Sequence, residues 1–222
     1  MSVLVHPDIG SIEIPVWVHD LTSFRRWIDL DELPEKLPVH FLNGEVWMDF
    51  SMEEFFSHNQ VKAAMNAVLF QFITENDWGH YIPDGMRYTS ETVGFSTEPD
   101  AMYVSHETLD RGDVEFRSGT RGKATELVGT PDLVIEVVSP STEEKDVDWL
   151  MGNYFDAGIP EYWLVDARES TIQFDVFKPS TYGYAASKKT GGWIKSTALG
   201  KSFKLVRGIN RAKRATYRLD MR

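Results

Sequence analysis

The sequence predicts an α/β (mixed α+β) domain built around a mixed sheet, and three observations favour this fold class. Residues 53–74 carry apolar side chains at helical spacing. Several short segments around them show the apolar runs or the alternation that β-strands require. Over residues 132–166, a strand pattern, a helix pattern and a second strand pattern follow one another. Strands interleaved with helices are typical of layers packed around one core.

The elements can be followed in chain order. A short helix is predicted at residues 23–30, and a hairpin at residues 41–50, where Asn43-Gly44 is a strong tight-turn signal. The long helix 53–74 follows, with an apolar stripe. Its members are Val61, Met65, Val68, Leu69 and Phe72.

The second half of the chain alternates between strands and one further helix. Strands are predicted at residues 86–95 and 100–104, and residues 105–130 are predicted to form a polar loop whose length indicates mobility or a lid. After the strand 132–139, a capping box of Ser141 and Glu144 starts a helix that Gly158 and Pro160 end. The remaining strands are predicted at residues 161–166, 171–178, 183–187 and 203–206.

Composition favours one domain and excludes any role that needs cysteine. The 222 residues are 42% hydrophobic, enough for one substantial core, so we expect a single domain over residues 1–222 with an N-terminal extension, 1–39, and a basic C-terminal tail, 207–222. There is no cysteine, which excludes a disulfide, a thiolate zinc site and a cysteine nucleophile. Any metal must be held by oxygen or histidine.

Charge and hydropathy limit where the protein can be located and what it can bind. The first residues show no basic region followed by a long apolar run, and no segment approaches the roughly 20 apolar residues of a membrane span, so we expect a cytoplasmic protein. The net charge of −11 argues against non-specific coating of nucleic acid. Residues 201–222 nevertheless carry +7 and the remainder −18. This asymmetry permits a local phosphate contact, although a solvated basic terminus is the simpler interpretation.

Glu136 is the residue that first indicates a site, because it interrupts the apolar run from Leu133 to Val138. A carboxylate buried in such a strand must be paired, hydrogen-bonded or bound to a metal. Asp132 lies on the same strand face, but four residues at about 3.3 Å each separate it from Glu136 by roughly 13 Å. Asp100, if its strand is a neighbour at about 4.8 Å, can meet Glu136 readily.

We therefore predict Asp100 and Glu136 as a metal-binding pair. Asp132 has two alternative roles. It either orders a neighbouring group, which is the entrance of its strand or a basic side chain, or it is a ligand of a second metal.

Several short motifs in order give this chain a family resemblance over roughly residues 40–206. The motifs are Asn43-Gly44-Glu45, His58, Pro99-Asp100, Pro131-Asp132 with Glu136, Ser139-Pro140-Ser141-Thr142, Asp146, Tyr154, and the run from Ala157 to Asp166. With these motifs the chain resembles the Uma2 (DUF820) family of restriction-endonuclease-like proteins, and residues 131–166 are the most specific part.

The resemblance implies a fold and a chemistry. The family belongs with the PD-(D/E)XK nucleases, whose central mixed sheet is flanked by helices and which cleave phosphodiester bonds in DNA with a divalent metal. By position, Asp100 and Glu136 match the acidic ligands, and the main-chain carbonyl of Val137 is a third ligand. Such oxygen donors suit Mg²⁺ or Mn²⁺. The family analogy also leaves a homodimer open.

Two further residues match family positions. Glu45, beside the tight turn, is either a catalytic carboxylate or a solvated hairpin residue. His58 is either a metal ligand or phosphate contact, or a hydrogen-bonded residue at the edge of the core.

The expected catalytic lysine is missing. In the family's Asp-x-x-x-Lys-x-x-x-Tyr pattern, the lysine position is Leu150 here. Lys145 is the nearest basic residue and the first candidate replacement, although five helical positions rotate it by about 140° from Leu150. Lys62 is the second, because it lies four residues after His58 on one helix face. The sequence thus leaves two functions open, a metal-dependent endonuclease and a nuclease-derived binding or structural protein without turnover.

Overall fold

The structure is a computed structural model that describes residues 2–6, 10–30, 33, 37–50, 54–119, 122–139 and 149–222. The predicted capping box of Ser141 and Glu144, and the candidate Lys145, lie outside these residues. Within them, the chain forms four α-helices and eighteen strands. The helices are α1 (Leu21–Ile28), α2 (Gln60–Glu75), α3 (His106–Arg111) and α4 (Met151–Asp156), and a π-helical turn, Phe55–Asn59, precedes α2.

The strands fall into four sheets. The bounds of the first ten are β1 (Ser2–His6), β2 (Gly10–Ile14), β3 (Val39–Leu42), β4 (Glu45–Met48), β5 (Gly79–Pro83), β6 (Arg87–Ser90), β7 (Phe95–Thr97), β8 (Ala101–Ser105), β9 (Val114–Ser118) and β10 (Ala124–Gly129). The others are β11 (Leu133–Val137), β12 (Tyr162–Asp166), β13 (Gln173–Ser180), β14 (Gly183–Ala186), β15 (Lys189–Thr190), β16 (Trp193–Lys195), β17 (Ser202–Ile209) and β18 (Ala215–Met221).

A six-stranded mixed sheet forms the centre, in the order β14-β13-β12-β11-β8-β5. Strands β11 and β12 are parallel, and every other pair in this sheet is antiparallel. The apolar stripe of α2 packs on one face, against residues such as Ile135 and Trp163. Tyr154 of α4 packs on the other face, beside Val134 and Val138. The predicted central mixed sheet flanked by helices is therefore confirmed.

The other sheets surround this centre. A second six-stranded sheet has the order β4-β3-β7-β6-β10-β9, and its Tyr88 and Phe95 join the core on the α4 side. A four-stranded sheet, β15-β16-β17-β18, contributes Leu205 and Leu219 to the core around α2. Strands β1 and β2 pair with each other. Among the described residues, no helix is long and apolar enough to cross a membrane.

Local residues fix the turn between β3 and β4 and the start of α1, which begins two residues before the predicted helix. Asn43 and Gly44 connect β3 to β4 with φ values of 53° and 80°. Two consecutive positive φ angles are what a two-residue hairpin turn needs, and Asn-Gly adopts them with little strain. Helix α1 begins after Asp20, whose side chain accepts a hydrogen bond from the backbone N–H of Ser23.

Two parts of the chain are more ordered than predicted. The predicted polar loop 105–130 is wrong, because it contains α3, β9 and β10. Strand β10 pairs in parallel with the distant β6, so its stability depends on partners that local periodicity does not reveal. The residues predicted as a basic tail, 207–222, form the end of β17 and the whole of β18, which are paired antiparallel.

Candidate active site

Asp100 stands at the entrance of β8, next to the strand that carries Glu136. The pairing of Ala101 with Ile135 in the antiparallel register places Asp100 one step further, beside Glu136. The Oδ2 atom of Asp100 accepts a hydrogen bond of 2.7 Å from the backbone N–H of Val137. The strand that follows Asp100 is therefore the neighbour of the Glu136 strand, which is the condition on which the predicted metal pair depends, and the metal-binding role itself stays a prediction.

Two cationic or potentially cationic side chains approach Asp100 from the start of the long helical segment. The Nζ atom of Lys62 lies 3.0 Å from Asp100 Oδ1, and the Nε2 atom of His58 lies 3.5 Å from Asp100 Oδ2. Lys62 also lies 2.5 Å from Asp84 Oδ2, and only 9% of its side chain is exposed. An ammonium group is thus held in a mostly buried position against the predicted metal-binding carboxylate.

The π-helical turn helps to place His58. Glu54 caps this turn, because its carboxylate accepts hydrogen bonds from the backbone N–H groups of Phe56 and Ser57. His58 lies within the turn and Lys62 in the first turns of α2. Residues four apart lie on one helix face, and π-helical turns inside helices occur frequently at functional sites. Both side chains consequently reach the same carboxylate.

The charge of Asp100 is set by competing effects. Burial would raise the pKa of its carboxyl group, but the hydrogen bond from His58, the charge of Lys62 and the N–H of Val137 together lower that pKa to about 2. Stabilisation of the charged form by hydrogen bonds and cations here exceeds the desolvation penalty. Asp100 is therefore ionised at neutral pH and is a competent ligand for a hard cation.

This depressed pKa predicts how stability responds to acid. Because the pKa of Asp100 is lowered to about 2 on folding, its contribution is complete above pH ~4 and is lost as the pH falls toward 2. Urea unfolding between pH 6 and pH 2 should therefore show that the wild-type protein loses more stability than Asp100→Asn, by on the order of 2 kcal/mol. If the stability of the two proteins fell equally with pH, the lowered pKa of Asp100 would be contradicted.

Glu136 is buried on the α4 side of the central sheet, with 3% of the residue exposed. The hydroxyl group of Tyr154 donates a hydrogen bond of 2.6 Å to its Oε1 atom. Alternation along β8 places Ala101 in the core on the α2 side and Met102 in the core on the α4 side. Asp100 lies just before β8, and its side chain contacts the Val137 N–H, Lys62 and His58, so a shared face with Glu136 stays a prediction.

The remaining predicted carboxylates lie elsewhere. Asp132 is at the opposite end of β11, where its oxygens accept hydrogen bonds from the N–H of Ser105 at 2.7 Å and the hydroxyl of Thr108 at 2.9 Å. This contact orders the start of α3, which agrees with the structural alternative for Asp132. A catalytic or second-metal role for Asp132 stays a prediction.

Glu45 is exposed at the first position of β4, an edge strand of the second six-stranded sheet. It shares a strand face with Trp47, whose ring lies 4.4 Å from that of Trp149, two residues before α4. The face that carries Glu45 is therefore turned toward the segment that leads into α4, and a catalytic role for Glu45 stays a prediction.

The lysine position of the family pattern is closed to solvent. Leu150 is 0% exposed and packs in the core with Tyr154. Among the described residues, the ammonium group that lies against Asp100 is that of Lys62. Asp84, which holds Lys62 from its other side, was missed from sequence. Its place in the turn after β5 gave no signal beyond the Asp-Gly pair that it forms with Gly85.

The donor set fits a hard divalent cation by its chemistry. Asp100 is ionised, the carboxylate of Glu136 is on the adjacent strand, and the Val137 carbonyl follows it in the chain. In the described part of the molecule, no group of three or more His, Cys, Asp or Glu side chains is placed to hold a metal ion. An ion bound here would depend on two carboxylates, one carbonyl and several waters, an arrangement that Mg²⁺ commonly adopts.

Comparisons with known proteins agree with this fold. The crystal structure of a putative nuclease belonging to DUF820 from Anabaena variabilis ATCC 29413 superposes with a TM-score of 0.60 at 17% identity, covering 82% of this chain and 90% of that chain. This likeness shows that the two chains share a fold. A family model described as Uma2, putative restriction endonuclease, matches residues 22–201, and the chain therefore belongs to the Uma2 family. No curated protein matches the sequence.

Proposed function

We propose that this protein is a Mg²⁺- or Mn²⁺-dependent endonuclease that hydrolyses phosphodiester bonds in DNA. The observation that carries the proposal is the ammonium group of Lys62, which lies 3.0 Å from Asp100 Oδ1. A chain that has Leu150 at the family's lysine position still has a buried cation at the carboxylate where the metal is expected. Membership of the Uma2 family supports the reaction class.

The metal would be held by the carboxylates of Asp100 and Glu136 and the main-chain carbonyl of Val137. When bound, a divalent cation activates a water molecule and neutralises charge on the phosphate. Tyr154 acts as a positioning residue, because its hydroxyl group fixes one oxygen of Glu136 at 2.6 Å. His58 and the Val137 N–H keep Asp100 ionised and oriented.

Lys62 supplies a fixed positive charge beside the site. Its ammonium group is held between Asp84 and Asp100, so its side chain loses little further freedom when a substrate binds. A cation fixed in a poorly solvated position stabilises negative charge that develops on a phosphate more effectively than a mobile surface lysine. We infer that Lys62 takes the role that the helix lysine has in the family pattern.

A binding or structural protein without turnover is the second candidate function. The same contacts favour it, because Lys62 and the Val137 N–H can themselves satisfy the Asp100 carboxylate. In this case the ammonium group of Lys62 would take the place of the metal ion beside Asp100 rather than assist it. The two candidates therefore differ in whether the site binds a divalent ion and whether it turns over.

Cleavage assays separate the two candidates. Purified protein is incubated with supercoiled, linear and single-stranded DNA in Mg²⁺, in Mn²⁺ or in EDTA, and products are resolved on gels. An endonuclease should convert supercoiled DNA to nicked and linear forms only when the metal is present. Metal binding by calorimetry without cleavage of any of these DNAs would support the binding protein instead.

Lys62→Met should lower the cleavage rate by about 10²- to 10³-fold, the usual effect of removing one electrostatic stabiliser. Single-turnover rates at saturating DNA would measure it. Lys195→Met, which removes an exposed lysine at the end of β16 in the four-stranded sheet, is the matched control and should leave the rate unchanged. In the single variant, the carboxylate of Asp84 loses the ammonium group that it pairs with. The double variant Lys62→Met, Asp84→Asn also removes that unpaired carboxylate. If that folded double variant cleaved at the wild-type rate, Lys62 would have no catalytic role.

A further inference from the structure

The hairpin between β17 and β18 carries three cations that the proposed reaction does not use. Arg211, Lys213 and Arg214, here called the basic tip, are all exposed. In the part of the chain that the structure describes, no carboxylate lies within 4.0 Å of any of the three. Other cations of these strands are engaged, as Arg218 is with Asp220 at 2.5 Å. The described carboxylates therefore do not neutralise the three positive charges of the basic tip, although the protein has a net charge of −11.

The backbone of the hairpin turn is held in a defined shape. The Oδ1 atom of Asn210 accepts hydrogen bonds from the N–H of Ala212 at 2.9 Å and the N–H of Arg214 at 3.0 Å. The N–H of Asn210 in turn donates to the carbonyl of Arg214 at 2.9 Å. An asparagine that closes a turn in this way limits its motion. The three cations are therefore presented from a constrained turn rather than from a loose terminus.

The hairpin is anchored beside the candidate active site. Leu219 of β18 is buried in the core around α2. The guanidinium group of Arg214 lies 5.4 Å from the ring centroid of Phe56, in the π-helical turn. Two residues further, His58 Nε2 lies 3.5 Å from Asp100 Oδ2. The basic tip therefore contacts the same π-helical turn from which His58 reaches the carboxylate where the metal is expected.

We propose that the basic tip binds backbone phosphates of the DNA that flank the bond to be cleaved. This inference rests on the proposed function for the identity of the polyanion. A site of carboxylates in an acidic protein repels DNA, so productive binding needs cations that contact phosphates near the site. Contacts of this kind set the position of the DNA and carry no sequence information. The basic tip therefore contributes affinity and placement without base specificity.

The test compares two variants that each lose three positive charges. The tip variant is Arg211→Ala, Lys213→Asn, Arg214→Ala, in which Asn is used because position 213 has a φ of 56° that asparagine tolerates. The control is Lys123→Ala, Lys188→Ala, Lys195→Ala, at exposed positions away from the hairpin turn. Both are made in the Asp100→Asn background, which blocks cleavage, and fluorescence anisotropy measures binding of a labelled 20-base-pair duplex at several salt concentrations.

The tip variant should bind the duplex about 10- to 100-fold more weakly at 0.1 M salt. Each lost phosphate contact lowers the slope of log K against log salt by about 0.9, so the tip variant should lose roughly two to three units of slope. The control should lose less than one unit. Equal losses in both variants, wild-type affinity in the tip variant, or no duplex binding by the parent protein would each overturn the inference.

The outcome is separable from the fate of the proposed reaction. If wild-type protein fails to cleave DNA but the tip variant alone loses affinity, the endonuclease proposal fails and the basic tip stands as a DNA-binding surface. If wild-type protein cleaves and the tip variant binds normally, the active site stands and the assignment of the basic tip falls.

Discussion

Cleavage by the Asp100→Ala, Glu136→Ala double variant should fall to background, a loss on the order of 10⁴-fold or more, because both carboxylates that we propose as ligands of the metal are removed. Plasmid nicking in Mg²⁺ and Mn²⁺ would measure the loss. Folding should survive the change at Asp100, since Lys62 keeps its contact with Asp84 at 2.5 Å. Circular dichroism and urea unfolding would verify that the variant is folded.

A matched control removes the same number of charges elsewhere. Asp110 and Glu115 are exposed on α3 and β9, and the double variant Asp110→Ala, Glu115→Ala should keep the wild-type rate. Calorimetric titration with Mn²⁺ gives a second measurement, because the active-site variant should lose the binding that the control retains. Cleavage that persists in the folded active-site variant would mean that another site or a contaminating nuclease is responsible.

Much of the central architecture could be predicted because its signals are local. The apolar stripe of α2 repeats at helical spacing, and it packs on the sheet as that pattern requires. The turn at Asn43 and Gly44 is encoded by two adjacent residues. A carboxylate in the middle of an apolar strand identified Glu136, and the rise per residue along a strand favoured Asp100 over Asp132 as its neighbour.

Elements that depend on distant partners escaped prediction. Strand β18 contains Arg218 and Asp220, so its charged side chains obscured the alternation by which Leu219 faces the core. Its stability comes from pairing with β17 along its whole length. Residues 105–130 were predicted as a loop for the same reason, because short elements with one exposed face have weak local patterns.

The cation of the site illustrates the same limit. Sequence spacing showed that His58 and Lys62 share a helix face, but only the packing of α2 on the central sheet brings that face to Asp100. The position of Asp84 depends on where the turn after β5 ends relative to α2. Lys62 could thus be named from sequence as one candidate for the missing lysine, and only the tertiary structure shows that its ammonium group lies against Asp100.

A second buried carboxylate, Glu161, has a structural role that the family motif alone would not reveal. It precedes β12 and is 1% exposed. Its Oε1 atom accepts hydrogen bonds from Trp163 Nε1 at 2.7 Å and the Ser196 hydroxyl at 2.5 Å. Its Oε2 atom accepts from the backbone N–H groups of Thr197 at 2.6 Å and Ala198 at 3.3 Å. One carboxylate therefore joins the central sheet to the segment between β16 and β17.

Glu161→Ala should destabilise the protein by about 3 kcal/mol or more, because it leaves two buried donors and two partly buried N–H groups without their acceptor, and each unsatisfied buried group costs roughly 1–3 kcal/mol. Urea unfolding at neutral pH would measure the change. Glu161→Gln retains one oxygen acceptor at nearly the same volume and should lose less than the alanine variant. Glu169→Ala, at an exposed glutamate eight residues away, should change stability by less than about 0.5 kcal/mol. If Glu161→Ala were as mild as Glu169→Ala, the hydrogen bonds of this carboxylate would not connect the two sheets energetically, and the segment after β16 would have to be held by the burial of Leu199 and Phe203 alone.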